Sequence, residues 1–310
     1  MILASAILFV MLPDMELRQL RYFVTVAEEG NISRAAQKSF LTQPALSRQI
    51  KALEEAIGQR LLDRQAHSIR LTPTGQTLLQ EARKLLRHAE LAVERVRAKG
   101  DCIRLRLGYA PSLATDILSV AVEAFTHKHP TARVEMFDLS TNEMRAGLEN
   151  CELDLAICIE TKRDAKGIKW KPLLRAPWYV AVNEHHPLSN RTRITPIEVA
   201  REPLFVFCQR DYPEYWSIIA RWLRQHRQRP KIAGESDGIH SLFAAVESGL
   251  GVGIVTARSA SLIPRRVRLL KLSNGPNQLC IAAGFRTERA TDKPLRVLIE
   301  ELRLAANNIT

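Results

Sequence analysis

Long apolar runs are missing from this 310-residue sequence. The stretch Met1 to Val10 is apolar but too short to span a bilayer, and it has neither the basic start nor the small-residue cleavage site of a secretory signal. No membrane association is expected, and residues 1–14 are expected to be either a mis-assigned start, with Met15 or Met11 the natural one, or a disordered extension. Cysteine is also scarce: Cys102, Cys151, Cys158, Cys208 and Cys280 are odd in number and widely spaced, without a CxxC pair. That excludes a disulfide framework and a zinc knuckle and points to a reducing, cytoplasmic compartment. Catalytic signatures are absent as well. There is no HExxH, GxSxG or P-loop. Gly249-Leu-Gly251-Val-Gly253 precedes a strand-like run instead of following one, so it is a poor dinucleotide loop. The eight histidines are scattered, with His127/His129 and His185/His186 beside Pro130 and Pro187 in turn-like stretches. No enzyme, metal or cofactor is expected.

Charge of one sign is in excess. The formal net charge is +12 and the pI about 9.8, which favours a polyanionic partner. From Met15 to Gly100, 15 Lys and Arg face 9 Asp and Glu, a density of excess charge about twice that of the remaining chain. Two later basic runs, Arg221 to Lys231 and Arg265 to Lys271, read as solvated faces. Hydrophobic content of 46% and charged content of 25% are those of a globular protein.

The dense basic part contains two short helical patterns joined by a tight turn, between Ser33 and Gly58. Ser33 and Thr42 stand where N-caps are needed, Pro44 falls in the first turn of the second helix, and Gly58 ends it. Leu46, Ile50, Leu53 and Ile57 recur at helical spacing, which buries that face. Gln43, Ser47, Arg48 and Lys51 lie on the other side, an edge of donors and one amide that suits a DNA major groove. Ala35-Ala36 permits the close crossing of a helix-turn-helix. Residues Leu61 to Leu71 read as a two-stranded wing whose Arg64 and Arg70 are placed for phosphate or minor-groove contact.

The stretch Met15 to Gly30, Ala35-Ala36, Thr42-Gln-Pro-Ala-Leu-Ser-Arg-Gln-Ile50, Leu53-Glu54 and Leu71-Thr-Pro-Thr-Gly75 closely resembles the DNA-binding end of LysR-type transcriptional regulators. The resemblance implies a winged helix-turn-helix over 15–75, with Ser33, Thr42, Gln43, Pro44, Ser47, Arg48, Lys51 and Arg64 on a double-stranded promoter site of dyad symmetry. It also implies assembly as a homotetramer and leaves RNA polymerase open as a further partner.

From Pro73 to Lys99, Leu78, Ala82, Leu85, Ala89, Ala92 and Val96 form a seam at spacings of four and three. An intramolecular stripe would look similar; pairing with the same helix of a second subunit is the reading adopted for this linker, 76–100. Beyond Asp101 the pattern alternates strand and helix, an α/β arrangement with a largely parallel sheet. Leu107-Gly-Tyr-Ala-Pro-Ser112, His129-Pro130, Glu184-His-His-Pro-Leu188 and Ala245 to Ile254 occur in the order found in the effector domain of the same family. That domain is similar to periplasmic solute-binding proteins, so 101–310 is expected as two lobes, 101–175 with 284–310, and 176–283. Ser112 and Thr141 each follow a strand and open a helix, where a ligand in an open α/β sheet sits. Phe207 and the loop Cys208 to Tyr215 that follows its strand should line the opposite wall. Helix ends carry partial positive charge, so an anionic small-molecule effector is expected. A solute-binding transport protein would explain the second half alone; the basic head argues against it.

Overall fold

The computed structural model describes residues 15–63, 69–97, 103–160 and 167–308. It divides into two compact units, Met1–Lys99 and Gly100–Thr310.

In the first unit, helix α1 (Leu17–Glu29) is opened by a capping box between Glu16 and Gln19 and closed by Gly30 in the left-handed conformation, φ 58°. Helix α2 (Ile32–Lys38) takes its N-cap from Asn31, whose Oδ1 accepts the Arg34 N–H at 3.1 Å. Ser33 is therefore not the cap but the second helical residue, because Asn31 is the last residue with extended backbone. Helix α3 (Gln43–Ile57) is capped by Thr42 and stopped by left-handed Gly58. Leu46, Ile50 and Leu53 bury their side chains completely, against Leu20, Phe23, Val26 and the Ala35-Ala36 pair. Strands β1 (Leu62–Asp63) and β2 (Arg70–Leu71) pair antiparallel as the stem of the wing. Glu54 ties that stem to α3, its Oε1 accepting the Leu61 N–H at 2.8 Å and the Leu62 N–H at 3.2 Å.

Helix α4 (Pro73–Arg97) starts on Thr72, whose hydroxyl accepts the Gly75 N–H at 3.0 Å and donates to the Arg60 carbonyl at 2.7 Å. Gly75 is required there: a Cβ would sit 2.1 Å from the Leu61 carbonyl oxygen. The expected seam divides along this helix. Ala82 is fully buried and Leu78 packs in the head's own core, so the first turns serve the subunit itself. Leu85 is 44% exposed, Ala92 is exposed, Val96 is 79% exposed, and Ala89 is half-buried. The reason is α1, which lies against the start of α4 and supplies an intramolecular partner, with Arg83 reaching Glu28 at 2.9 Å.

The second unit holds two mixed sheets. Strands β3 (Arg104–Tyr109), β4 (Arg133–Asp138), β5 (Leu155–Ile159), β6 (Ile168–Ala176) and β13 (Leu279–Arg286) form one, in the order β4-β3-β5-β13-β6. Strands β7 (Trp178–Asn183), β8 (Arg193–Ile194), β9 (Pro203–Phe207), β10 (Lys231–Ser236), β11 (Val252–Thr256) and β12 (Val267–Leu272) form the other, in the order β10-β9-β11-β7-β12-β8. The expectation of a largely parallel sheet needs correction. The βα units give parallel pairs, but β13 runs antiparallel to β5 and β6, and β7 antiparallel to β11 and β12, because these strands carry the chain across between lobes. The second crossing also falls earlier than Gly284, since β13 is bonded into the first sheet from Leu279. Helices α5 (Pro111–Lys128), α6 (Thr141–Glu149) and α10 (Lys293–Asn308) belong to the first lobe, and α7 (Pro196–Arg201), α8 (Pro213–Gln225) and α9 (Ile239–Glu247) to the second. One continuous apolar core runs through both lobes. No helix among the described residues is long and apolar enough to cross a membrane.

Candidate functional site

The first site is the outer edge of α3. With Leu46, Ile50 and Leu53 anchoring its back, Gln43, Pro44, Arg48 and Lys51 are exposed and Ser47 is half-buried. Thr42 is spent on capping, its hydroxyl accepting the Ala45 N–H at 3.4 Å. Ser33 joins this edge from the neighbouring helix: its hydroxyl donates to Oε1 of Gln43 at 3.2 Å. The bond uses one lone pair of the amide oxygen and leaves its NH2 and second lone pair, the donor–acceptor pair an adenine edge requires. Lys51 stands 3.6 Å from Glu55, an exposed pair that leaves the ammonium available to a phosphate. Arg64 lies outside the described residues.

One feature of this surface has no counterpart in the sequence reading. Phe40, in the turn between α2 and α3, is 96% exposed and held at φ 55°. The left-handed region is costly for a bulky side chain. The only warning in the sequence was an aromatic between the two helical patterns.

The second site is the crevice between the two lobes. Ser112 is the second residue of α5, whose N-cap is Ala110; Thr141 is the first of α6, whose N-cap is Ser140 in a capping box with Glu143. Neither is itself a cap, and both line an inner compartment walled by Trp178, Phe207, Tyr212 and Tyr215. Phe207 ends β9 and packs against Tyr212 in a tilted contact and Tyr215 edge-to-face, at centroid distances of 4.9 and 5.0 Å. Cys208 does not line the crevice. Its backbone closes a turn, with its N–H on the Ser236 carbonyl at 2.8 Å and its carbonyl accepting the Tyr212 N–H at 2.9 Å. That turn aims the next aromatic, Tyr212, inward instead.

Three sets of bonds fasten the lobes around this compartment. The Ser112 carbonyl accepts from Thr256 at 3.5 Å and from Ser259 at 3.2 Å. Asp116 of α5 pairs with Arg258. Asn142 bonds the loop before α8, its N–H on the Asp211 carbonyl at 3.1 Å and its side chain on the Arg210 carbonyl. Ser112 and Thr141 thus sit next to the bolts.

Outward from Ser112, Phe207 and Tyr212 the crevice widens into a polar compartment lined also by Asp138, Ser140, Glu143, Asp237, His240 and Ser241. The expectation of an anionic effector rested on helix ends alone. The compartment sets three carboxylates against those ends and has no Lys or Arg among its described lining residues. Burial pushes the Asp138 carboxyl above its usual range, His240 opposes this, and the charges of Glu143 and Asp237 add to it. Sequence reading missed these acids, although both stand at strand ends ahead of a helix, Asp138 as the last residue of β4 and Asp237 as the first after β10. Among the described residues no group of three or more His, Cys, Asp or Glu is arranged to hold a metal.

Comparison with known proteins finds relatives for both units. Residues 17–76 match the family model described as a bacterial regulatory helix-turn-helix protein of the lysR family, and residues 98–307 match the LysR substrate binding domain. The chain is 31% identical over 247 residues to the HTH-type transcriptional regulator YnfL of Escherichia coli (strain K12), covering 79% of this chain and 83% of that protein. It is 30% identical over 248 residues to the Hca operon transcriptional activator HcaR of the same organism, covering 78% of this chain and 81% of that one. The structure of full-length CbnR complexed with its target DNA superposes with a TM-score of 0.72 at 26% identity, covering 94% of this chain and 100% of that chain. With one model spanning 98–307 and another the helix-turn-helix ahead of it, this chain belongs to the LysR family of transcriptional regulators.

Proposed function

We propose that α3 reads a dyad-symmetric promoter site from the cytoplasm, under the control of a small molecule bound between the lobes. The observation that carries the reading is the fixed α3 edge, where Gln43 is oriented by Ser33 and flanked by exposed Pro44 and Arg48. Gln43 and Arg48 meet base edges, Ser47 and Lys51 meet phosphates, and Arg64 of the wing meets the flank. Two copies pair through the outward half of α4, Leu85, Ala89, Ala92 and Val96, and the dimers associate further into a tetramer that can contact RNA polymerase. Pairing matters because two-fold protein symmetry doubles the contacts on a site with a dyad.

In the second unit, an effector touching Ser112 and Thr141 acts beside the Ser112 and Asn142 bolts. Any ligand that binds one lobe angle better than another shifts the population toward it, and a change of half-site geometry alters the bend or spacing imposed on DNA. No chemical turnover is part of this role.

The experiment is a DNase footprint of the full chain on the DNA flanking its own gene. A protected region with dyad symmetry is expected, lost with Gln43→Ala. Protection that depends on salt alone, equal on any duplex, would remove the sequence-reading role.

A further inference from the structure

We propose that the effector is a small organic cation, an ammonium or guanidinium carried on an apolar body; this rests on reading the crevice between the lobes as the effector site. The outer compartment has a free volume of about 270 Å³. Its charged lining is Asp138, Glu143 and Asp237, with His240 the one basic side chain among the described lining residues. Two guanidinium groups on neighbouring elements are paired chiefly with other groups. Arg210 forms a two-pronged pair with Asp211 at 2.9 and 3.1 Å, and Arg145 bonds Asn142 at 2.7 Å and stands 3.9 Å from Glu214.

The opposing contribution comes from helix ends. Helices α5, α8 and α9 begin on Ala110, Tyr212 and Gly238 without a side-chain cap, so each presents roughly half a positive charge to the crevice, fading within a turn. The start of α6 is already occupied by the Ser140–Glu143 capping box. Three half charges do not balance three carboxylates, and the site stays negative. Asp237 accepts from Ser241 at 2.6 Å and Glu143 from the Ser140 N–H at 2.8 Å, while the Asp138 carboxylate has no hydrogen-bond partner among the described residues. The aromatic walls act in the same direction, since the faces of Phe207 and Tyr212 attract cations and repel anions.

Thr141 is 3% exposed and lines the inner compartment, with its hydroxyl unpaired among the described residues. A polar group of the ligand that reaches past Phe207 meets that hydroxyl, in competition with a single water. The inner compartment has free space of only about 20 Å³, so the apolar body of the ligand lies chiefly against Phe207 and Tyr212 at the junction.

The test uses the full chain and two probes of similar shape, 2-phenylethylammonium and 3-phenylpropionate, titrated by calorimetry. The ammonium should bind on the order of ten-fold more tightly than the carboxylate, and Asp138→Asn with Asp237→Asn should shrink that preference by a similar factor. A carboxylate that binds more tightly, an ammonium without measurable binding at about 10 mM, or a preference unchanged in the double variant would each overturn the proposal. Thr141→Trp separates this failure from failure of the site itself. Carboxylate binding abolished by Thr141→Trp would keep the crevice and discard the cation; binding that survives Thr141→Trp would discard the crevice. Thermal melting of each variant shows that the effector unit is folded.

Discussion

Gln43→Ala is the sharpest perturbation of the reading edge, because the side chain it removes is exposed and the helix it leaves is anchored from behind by Leu46, Ile50 and Leu53. Folding stability should be unchanged. A bidentate amide contact to adenine discriminates by about 1–3 kcal/mol. Taking about 2 kcal/mol for each copy on a dyad site gives about 4 kcal/mol, roughly a thousand-fold loss of specific affinity. Ser33→Ala tests the orientation of the same amide. Its bond to Gln43 is exposed and 3.2 Å long, which places it at the weak end of the range, about 0.5 kcal/mol per copy, or about five-fold for a dimer. That effect should vanish when Gln43 is already alanine, since the two residues act as one contact. Neither variant changes a charge, so affinity for unrelated DNA and its salt dependence should stay put, whereas Lys51→Ala should weaken both duplexes alike. Fluorescence anisotropy with a footprinted duplex and a scrambled one, at several salt concentrations, measures all of this. Equal losses on the two duplexes from Gln43→Ala, or a Ser33→Ala effect undiminished in the Gln43→Ala background, would refute the reasoning.

Three further outcomes are expected. Ala82→Glu should unfold the head, because it places an unpaired charge in a fully buried position, while Leu85→Glu with Val96→Glu should leave the melting curve intact and shift the sedimenting species to monomer. Gly75→Ala should cost at least about 2 kcal/mol in urea unfolding, because the added methyl overlaps the Leu61 carbonyl and only a backbone shift relieves it. The raised pKa of Asp138 means that its contribution to stability is fully present below the unfolded pKa and lost as pH rises through the folded one. Asp138→Asn should therefore stabilise the effector unit at neutral pH, with the gain disappearing in acid, as read by melting temperature against pH.

What could be read from the sequence was whatever depends on local periodicity and capping. Thr42, Pro44, Gly58 and the spacing of Leu46, Ile50 and Leu53 define α3 within its own fifteen residues, so its ends fell where expected. Asn31 displaced Ser33 as the cap because both residue types cap well, and only the backbone angle at the start of α2 decides between them. The hidden part is long-range. The antiparallel strands β7 and β13 are as apolar and buried as their parallel neighbours, and their direction is set by which lobe the chain must reach next. The short pieces β8 and α7 went unread because two to six residues give periodicity too little length to register. In the crevice, Ser112, Thr141 and Phe207 were legible as residues flanking strand ends. Tyr212 fell within the Cys208 to Tyr215 loop expected there, but Asp138 and Asp237 were not legible, because nothing local brings the ends of β4 and β10 to a common wall.

The division of α4 bears on how the head and its dimer contacts are joined. A helix that served only the interface could turn about its axis without disturbing α3. Here Ala82 and Leu86 are buried in the same core as Phe23, Leu46 and Ile50, so nearly the first four turns of α4 are part of the body that holds the reading edge. Thr72 and Gly75 remove the remaining freedom at the start, the one by bonding Arg60 and the other by direct approach to Leu61. Leu85, Ala92 and Val96 then continue on the same unbroken helix, less than four turns from the buried residues. Close-packed elements shift between discrete arrangements more readily than they stretch. In the dimer proposed above, therefore, a change in how two copies of α4 cross carries Gln43 and Arg48 with it as a rigid attachment, and the separation of the two reading edges follows from the crossing alone.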